Sequence, residues 1–373
     1  MRKPTTLFLQ LVRQMPNSMI QNAIEAFGAD ARSRVLRARP HLYVLLLGHL
    51  RGVSSLRHLV ELWDGLAGVR AALGLPPIAR STLADAGHSR RHEFFRALMA
   101  QVLAAAHQAG HRLPRKFKRL RYALDSTSIE LCAELYEWSQ VSADRSAIKL
   151  HLLLRTGLAL PELVVVGDGA THDVTVAKQM ALPSQALISM DRGYVDAQLF
   201  AELHDRGSAF VTRLKRRMKY RVQQRRRVPR TAAGITSDQE IVLTGASAEV
   251  YGDRPLRRIR YRDPKTGAVL VFLTNDLRLA ARTVAQLYKE RWQVELFFKW
   301  IKQNLKVLTF WGRSKNAILI QLWVALLAYA LVAWIHLTLR TSWTRLRTWR
   351  FVQDQLLQPL GNEFWTLERH APK

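Results

Sequence analysis

Up to about residue 112 the apolar side chains recur three and four apart, with Gly and Pro between the runs. That spacing predicts helices only, over 40–52, 54–74 and 81–110. The stretch from Leu56 to Arg91 has the pattern of a helix-turn-helix with Arg80, Ser81, His88, Arg90 and Arg91 on a DNA-facing helix, and a plain helical bundle fits it equally. The basic, Pro-containing segment Arg112 to Arg121 ends the helical run, and short strands follow. LRYALD (120–125), AIKLHLLLRT (147–156) and ALPELVVVGD (159–168) read as consecutive strands, the last two joined as a hairpin at Gly157. A helix from Asp173 to Leu182, a strand over 186–190 ending at Asp191, a helix over 195–207 and a strand over 208–215 come next. From Arg216 to about Asn275 the pattern is strand-like again, with its clearest hairpin formed by LRRIRYR (256–262) and AVLVFLTN (268–275). Helical periodicity returns from Arg282 to Lys306 and resumes in the apolar run Ala317 to Ile335.

Three strands followed by alternating helix and strand is the order of a ribonuclease-H-like α/β domain. The expected organisation is a helical domain (1–112), whose helix-turn-helix pattern would make it DNA-binding, an α/β domain in two parts (113–215 and 281–345), a basic β-rich insertion between them (216–280) and a C-terminal tail (346–373).

Charge sharpens this picture. Lys and Arg number 57 against 29 Asp and Glu, a formal charge of +28, while 48% of the residues are apolar. A folded protein that meets a polyanion is the simplest account. Ten Lys or Arg fall between Arg213 and Arg230, more than solubility requires. Arg225, Arg226 and Arg227 are therefore candidate DNA contacts, and Tyr220 and Tyr251 candidate stacking rings. The single cysteine, Cys132, excludes an intramolecular disulfide scaffold and cysteine-based zinc sites, and burial is its expected lot. No signal peptide is read at the N-terminus. Ala317 to Ile335 meets the minimum length for a membrane span; because it is solitary and flanked by basic residues, a buried helix is the expectation and no membrane the consequence.

On a helix over 287–305, Tyr288, Arg291, Glu295 and Lys302 share an arc of about 60°, beside the apolar face of Val294, Phe298 and Ile301. That rail is about 21 Å long, some three backbone phosphates. Carboxylates that converge are what metal-assisted phosphodiester cleavage needs, since hard divalent ions take oxygen ligands. Asp125 within a strand, Asp191 at the end of another and Glu295 on the helix are the right number and type. Each alone could equally be a turn, a cap or a solvated ion pair.

The spacing Tyr288-x2-Arg291-x3-Glu295-x6-Lys302 resembles the signature of the large DDE transposase family of insertion sequences that includes the type-four elements. LDSTSIELC around Asp125 and MDRGYVD around Asp191 resemble its other two catalytic motifs, and the likeness runs in order through nearly the whole chain. It implies that Asp125, Asp191 and Glu295 hold two Mg²⁺, with Mn²⁺ as a substitute, and that Tyr288, Arg291 and Lys302 grip phosphates of the transposon end. It further implies a cytoplasmic enzyme acting on double-stranded DNA, at its own ends and at a target, with a homodimer bridging the two ends. In some members a DNA hairpin forms and a Trp of the insertion holds a displaced base; here no Trp lies between Asp191 and Trp292, which leaves Tyr220 or Tyr251 for that part. Two alternatives stay open: a ribonuclease-H-like nuclease without strand transfer, and a DNA-binding protein that has lost catalysis. Tyr288 as a covalent nucleophile is the weaker chemistry beside three carboxylates. Asp168, His172 and Asp173 border the site or cap a helix, and Lys149 and His151 alternate onto one strand face.

Overall fold

In the computed structural model the chain divides into two compact units. One comprises residues 1–114, 131–138 and 299–373, the other residues 115–130 and 139–298. The structure describes residues 5–31, 33–111, 119–131, 136–142, 145–304, 310–339 and 342–360. Cys132 and most of the basic linker, 112–118, lie outside the described residues.

The first unit is helical. A two-residue strand β1 (Thr5–Thr6) leads into α1 (Leu7–Arg13), α2 (Asn17–Phe27), α3 (Ala38–Arg51), α4 (Leu56–Asp64), α5 (Ala67–Leu73), α6 (Arg80–Ser89) and α7 (His92–His111). Local chemistry sets several of these ends. Thr6 and Ser55 accept hydrogen bonds from the first turns of α1 and α4, and Gly28, Gly52 and Gly74 end helices in the left-handed conformation that costs other residues a Cβ clash.

The second unit holds β2 (Arg121–Leu131), β3 (Gln140–Ser142), β4 (Arg145–Arg155), β5 (Leu160–Asp168), α8 (Asp173–Gln179), β6 (Leu187–Met190), α9 (Ala197–Asp205), β7 (Ala209–Arg213), β8 (Tyr220–Arg225), β9 (Ile235–Leu243), α10 (Ala246–Tyr251), β10 (Leu256–Arg262), β11 (Val269–Thr274) and α11 (Ala281–Glu290). All ten strands form one mixed sheet in the order β3-β4-β2-β6-β7-β11-β10-β9-β8, with β5 on β4. The expected hairpin at Gly157 is β4–β5, and that of 256–275 is β10–β11, pairing Arg257 with Thr274 through Arg262 with Val269. The basic strands thus extend the sheet past β7, through the antiparallel β7–β11 pair. β3 and α10 lie outside the elements expected from the sequence.

Strand alternation decides what each face of the sheet carries. Tyr122, Leu124, Ile188, Met190 and Phe210 pack with Val176 of α8 and Leu199, Phe200 and Leu203 of α9. Leu187, Ala209, Val211, Ile259 and Phe272 face the other way, onto Val284 and Leu287 of α11. β2 and β6 run parallel, with Leu124 beside Met190, so Asp125 and Asp191 follow those two residues at one end of the sheet. The expected continuous helix over 287–305 is two helices. α11 ends at Glu290, Arg291 forms its C-terminal cap, and α12 (Trp292–Asn304) starts immediately after it.

α12 runs from the α/β unit into the residues grouped with the helical one. There α13 (Lys315–Leu339) and α14 (Arg345–Gln355) follow, and a short strand β12 (Pro359–Leu360) pairs antiparallel with β1. Long and apolar enough to cross a membrane, α13 instead has 94% of its most apolar stretch buried inside the protein, chiefly against α7 and α3. Its apolar residues run all round because helices surround it. The close approach of α3 is visible at Gly48, where a Cβ would lie 2.6 Å from the Trp311 ring. Residues 345–360, expected as tail, are thus helix and strand.

Candidate active site

Alternation along β2 sends Leu124 and Ser126 towards α8 and turns Asp125 towards α11 and α12. On that side Arg121 pairs with Glu290 at the end of α11, and Gln293 on α12 accepts a hydrogen bond from the Gly157 amide at 3.0 Å. These contacts hold the α11–α12 junction beside the start of β2 and the turn after β4. Arg291, at the junction of the two helices, then reaches Asp125 Oδ2 with Nη1 at 2.5 Å and Glu295 Oε1 with Nη2. The guanidinium is 13% exposed, Asp125 18% and Glu295 34%. Asp191, just after β6, accepts a hydrogen bond from the Gly193 amide and caps the short 3-10 turn Arg192–Tyr194.

Electrostatics ties the three acids together. Burial pushes the Asp125 carboxyl up to about 6, and the negative charges of Asp191 and Glu295 add to that rise while Arg291 and the Ser126 amide oppose it. Burial works against the Arg291 charge as well, but Asp125 and Glu295 more than offset it and raise its pKa. The result is a patch of carboxylates that requires cations and has one built in. Its oxygens suit a hard divalent ion. Among the described residues no three acidic or histidine side chains close on a single point, because Arg291 lies between Asp125 and Glu295.

The Transposase DDE domain family matches residues 116–331, a stretch that contains all three acids. The chain is an insertion-sequence DDE transposase. It is 28% identical over 337 residues to a transposase for the insertion sequence element IS5377 of Geobacillus stearothermophilus, covering 90% of this chain and 86% of that one. The transposase y4zB of Sinorhizobium fredii is 31% identical over 253 residues, 67% of this chain and 69% of its own. A solved piggyBac transposase synaptic complex with hairpin DNA aligns with a TM-score of 0.46 at 12% identity, covering 100% of this chain and 85% of that one.

Of the transposase's four signature residues, Tyr288 packs against Phe272 with tilted rings whose centroids are 5.0 Å apart, and the Arg291 guanidinium lies 5.6 Å from its ring centre. Lys302 lies further along α12 and is partly buried. Beside Arg291 is a cavity of ≈ 700 Å³ whose walls include Tyr261, Leu270, Phe272, Tyr288, Arg291 and Trp292. Trp292 is 57% exposed, a large ring left in solvent next to the acids. From the sequence Trp292 marks only the limit of a Trp-free interval; its exposure is what brings the ring forward.

Two expected DNA contacts are corrected. Arg90 is 5% exposed and its donors are spent inside the helical unit, on Ala29 O (2.7 Å), Asp30 (3.0 Å), Ser33 (3.0 Å), His41 Nδ1 (3.2 Å) and Leu36 O. A guanidinium so engaged joins α6 to the loop after α2 and is withheld from DNA; Arg91 next to it is exposed. Tyr251 is 1% exposed, packed on Phe200 with its hydroxyl 3.2 Å from His204 Nδ1, because the polar stretch around it folds into α10 against α9. Tyr220 is partly exposed and carries the Arg258 guanidinium over its ring at 5.5 Å. Arg225 and Arg227 are exposed on and after the edge strand β8. Arg226 turns inward to Leu277 O at 2.6 Å and Glu240 at 3.5 Å.

The GDGATHD segment also departs from its simplest account. Asp168 closes its own turn through Thr171, and the residue capping α8 is His172. Asp173 is thereby free of a capping role, and its side chain points to the sheet.

Proposed function

We propose that this transposase binds the terminal inverted repeats of its own element, cleaves them with Asp125, Asp191 and Glu295 as the metal-holding acids, and joins the freed 3′ ends to target DNA. The observation that carries this reading is the convergence of Asp125 and Glu295 on one arginine, with Asp191 close enough to raise the Asp125 pKa. The acids would hold two Mg²⁺, or Mn²⁺, which activate an attacking oxygen and stabilise a leaving one. The rest of the site belongs to the chain. The Arg291 fork that spans two carboxylates matches a phosphate oxygen pair equally well, so the same side chain suits the scissile phosphate. Tyr288 supports that fork from below through its ring. The exposed arginines on and beside β8 would follow the DNA backbone, Arg91 belongs to the proposed DNA-facing surface of the helical domain, and Lys302 would add a cation further along the transposon end.

The sheet order supports a ribonuclease-H-like core extended by the basic strands, preceded by a helical DNA-binding domain. A homodimer that bridges two ends, working in the cytoplasm, completes the proposal. If second-strand cleavage passes through a hairpin, Trp292 at the mouth of the aromatic cavity is a better placed ring than Tyr220, and Tyr251 is out of reach. The test is cleavage of end-labelled inverted-repeat DNA in Mg²⁺ by wild type and by Asp125→Ala, Asp191→Ala and Glu295→Ala. Each variant should bind ends and fail to cut; near wild-type cutting by any one removes that residue from the metal site. Joined products in a strand-transfer assay separate a transposase from a nuclease that only cuts.

A further inference from the structure

Behind Asp125, on the opposite face of the sheet, lies a second group of polar side chains that the cleavage site as described does not use. Ser126 points there because it follows Asp125 on the strand. Its hydroxyl donates to Asp173 Oδ1 at 2.7 Å, and its amide donates to Asp125 Oδ1 at 2.9 Å. The same Asp173 oxygen takes Lys149 Nζ at 2.8 Å. The other oxygen of Asp173 faces the turn that carries Asp191: a Cβ on Gly193 would sit 3.3 Å from Asp191 Oδ1 and 3.7 Å from Asp173 Oδ2. One carboxylate thus touches the residue after Asp125 and borders the residue two places after Asp191.

The surroundings show that this arrangement is built in and costly. His151 is 1% exposed, its Nδ1 lies 3.7 Å from Asp173, and among the described residues neither ring nitrogen has a hydrogen-bond partner. Burial lowers the His151 pKa, so at neutral pH the ring is uncharged and Lys149 balances the carboxylate. The buried Tyr194 ring lies close enough to Asp173, Asp125 and Asp191 for all three charges to raise its pKa, after burial itself. A fourth acid near three others, with a buried histidine left unsatisfied, is poor economy for a fold that needed only packing.

We propose that Asp173 is a positioning residue of the cleavage site, acting on Asp125 through Ser126 and carrying Lys149 as its counter-ion. The inference rests on the proposed metal-holding role of Asp125. Partners behind a metal-holding group typically contribute about 10- to 100-fold to activity.

Single-turnover cleavage of saturating end DNA tests it, with end binding and thermal melting measured on the same preparations. Asp173→Ala and Ser126→Ala should each slow cleavage about 10- to 100-fold at unchanged end affinity, and the double variant should be no slower than the slower single, because both break one chain of contacts. Asp173→Asn, which keeps an acceptor for Ser126, should lose less than Asp173→Ala. A general loss of structure would lower melting and binding together, whereas a positioning role lowers the rate per bound complex. If Asp173→Ala does not fold, Asp173→Asn and Ser126→Ala decide. Wild-type cleavage by Ser126→Ala, or defects that multiply in the double variant, would overturn the proposal. Failure of the wild-type protein to bind or cut its ends would instead sink the reading of the site itself.

Discussion

Replacing Arg291 by Met keeps most of the apolar stem and removes the cation between Asp125 and Glu295. Removing one partner from a buried ion pair costs about 3–5 kcal/mol. Two features reduce that here: the Glu295 side chain is 34% exposed and therefore partly screened, and Asp125, already at about 6, can take up a proton. We expect about 2–3 kcal/mol at neutral pH, a fall in melting temperature of roughly 3–4 °C for a chain of 373 residues. The sign with pH follows from the direction of the Asp125 shift. The folded protein holds this proton to higher pH than the unfolded chain does, so charging Asp125 costs stability as pH rises through about 6, and Arg291 limits that cost. The variant's deficit should therefore be largest at about pH 7.5 and small at about pH 4.5. Millimolar Mg²⁺ should recover part of the loss at the higher pH in the variant and stabilise wild type less, since in wild type the guanidinium already sits between two of the acids. Melting curves of both proteins at the two pH values, with chelator and with Mg²⁺, provide the measurement. A deficit equal at both pH values and indifferent to Mg²⁺ would mean that Arg291 contributes packing alone, and the account of the carboxylate patch would be wrong.

Arg90→Met should cost about 3–5 kcal/mol in urea unfolding, while Arg91→Ala leaves stability within about 0.5 kcal/mol. Neutralising Arg225 and Arg227 together should weaken binding to unrelated DNA as much as to the element's ends and reduce the salt slope by about two, as titrations over a range of salt would reveal; an unchanged slope places DNA elsewhere. Trp292→Ala should slow second-strand cleavage more than the first, seen as accumulation of singly nicked ends on denaturing gels. Burial, with help from Arg345, holds His336 down at about 4, so the unfolded chain protonates first and stability falls as pH drops from about 6.5 to about 4; His336→Asn should flatten that fall by about 2–3 kcal/mol in urea titrations.

What could be read from sequence differed by kind of residue. Period-two alternation at 256–262 and the Gly157 turn gave the two hairpins, because side-chain direction in a strand is settled within a few residues. The pairing of Asp125 with Glu295 could be suspected from residue type, but the junction at Arg291 could not: 287–305 reads as one helix by periodicity. Arg90, expected on a DNA-facing helix, and Tyr251, expected in an exposed polar stretch, were misplaced because the partners that bury them, Asp30 and Ser33 for one and Phe200 and His204 for the other, are remote in sequence. For Asp173 the sequence left two readings open, the border of the site and a helix cap, since the bond from Ser126 that separates them joins residues 47 apart.

The antiparallel pairing of Thr5–Thr6 with Pro359–Leu360 joins the two ends of the described chain, and α13, the core of the helical unit, is made only in the last sixth of the sequence. A nascent chain that has passed Glu295 therefore already contains Asp125, Asp191 and Glu295 but lacks the helix on which α7 and α3 pack. Any product that stops short of Leu339 carries exposed apolar faces into the cell and is a natural target for proteases.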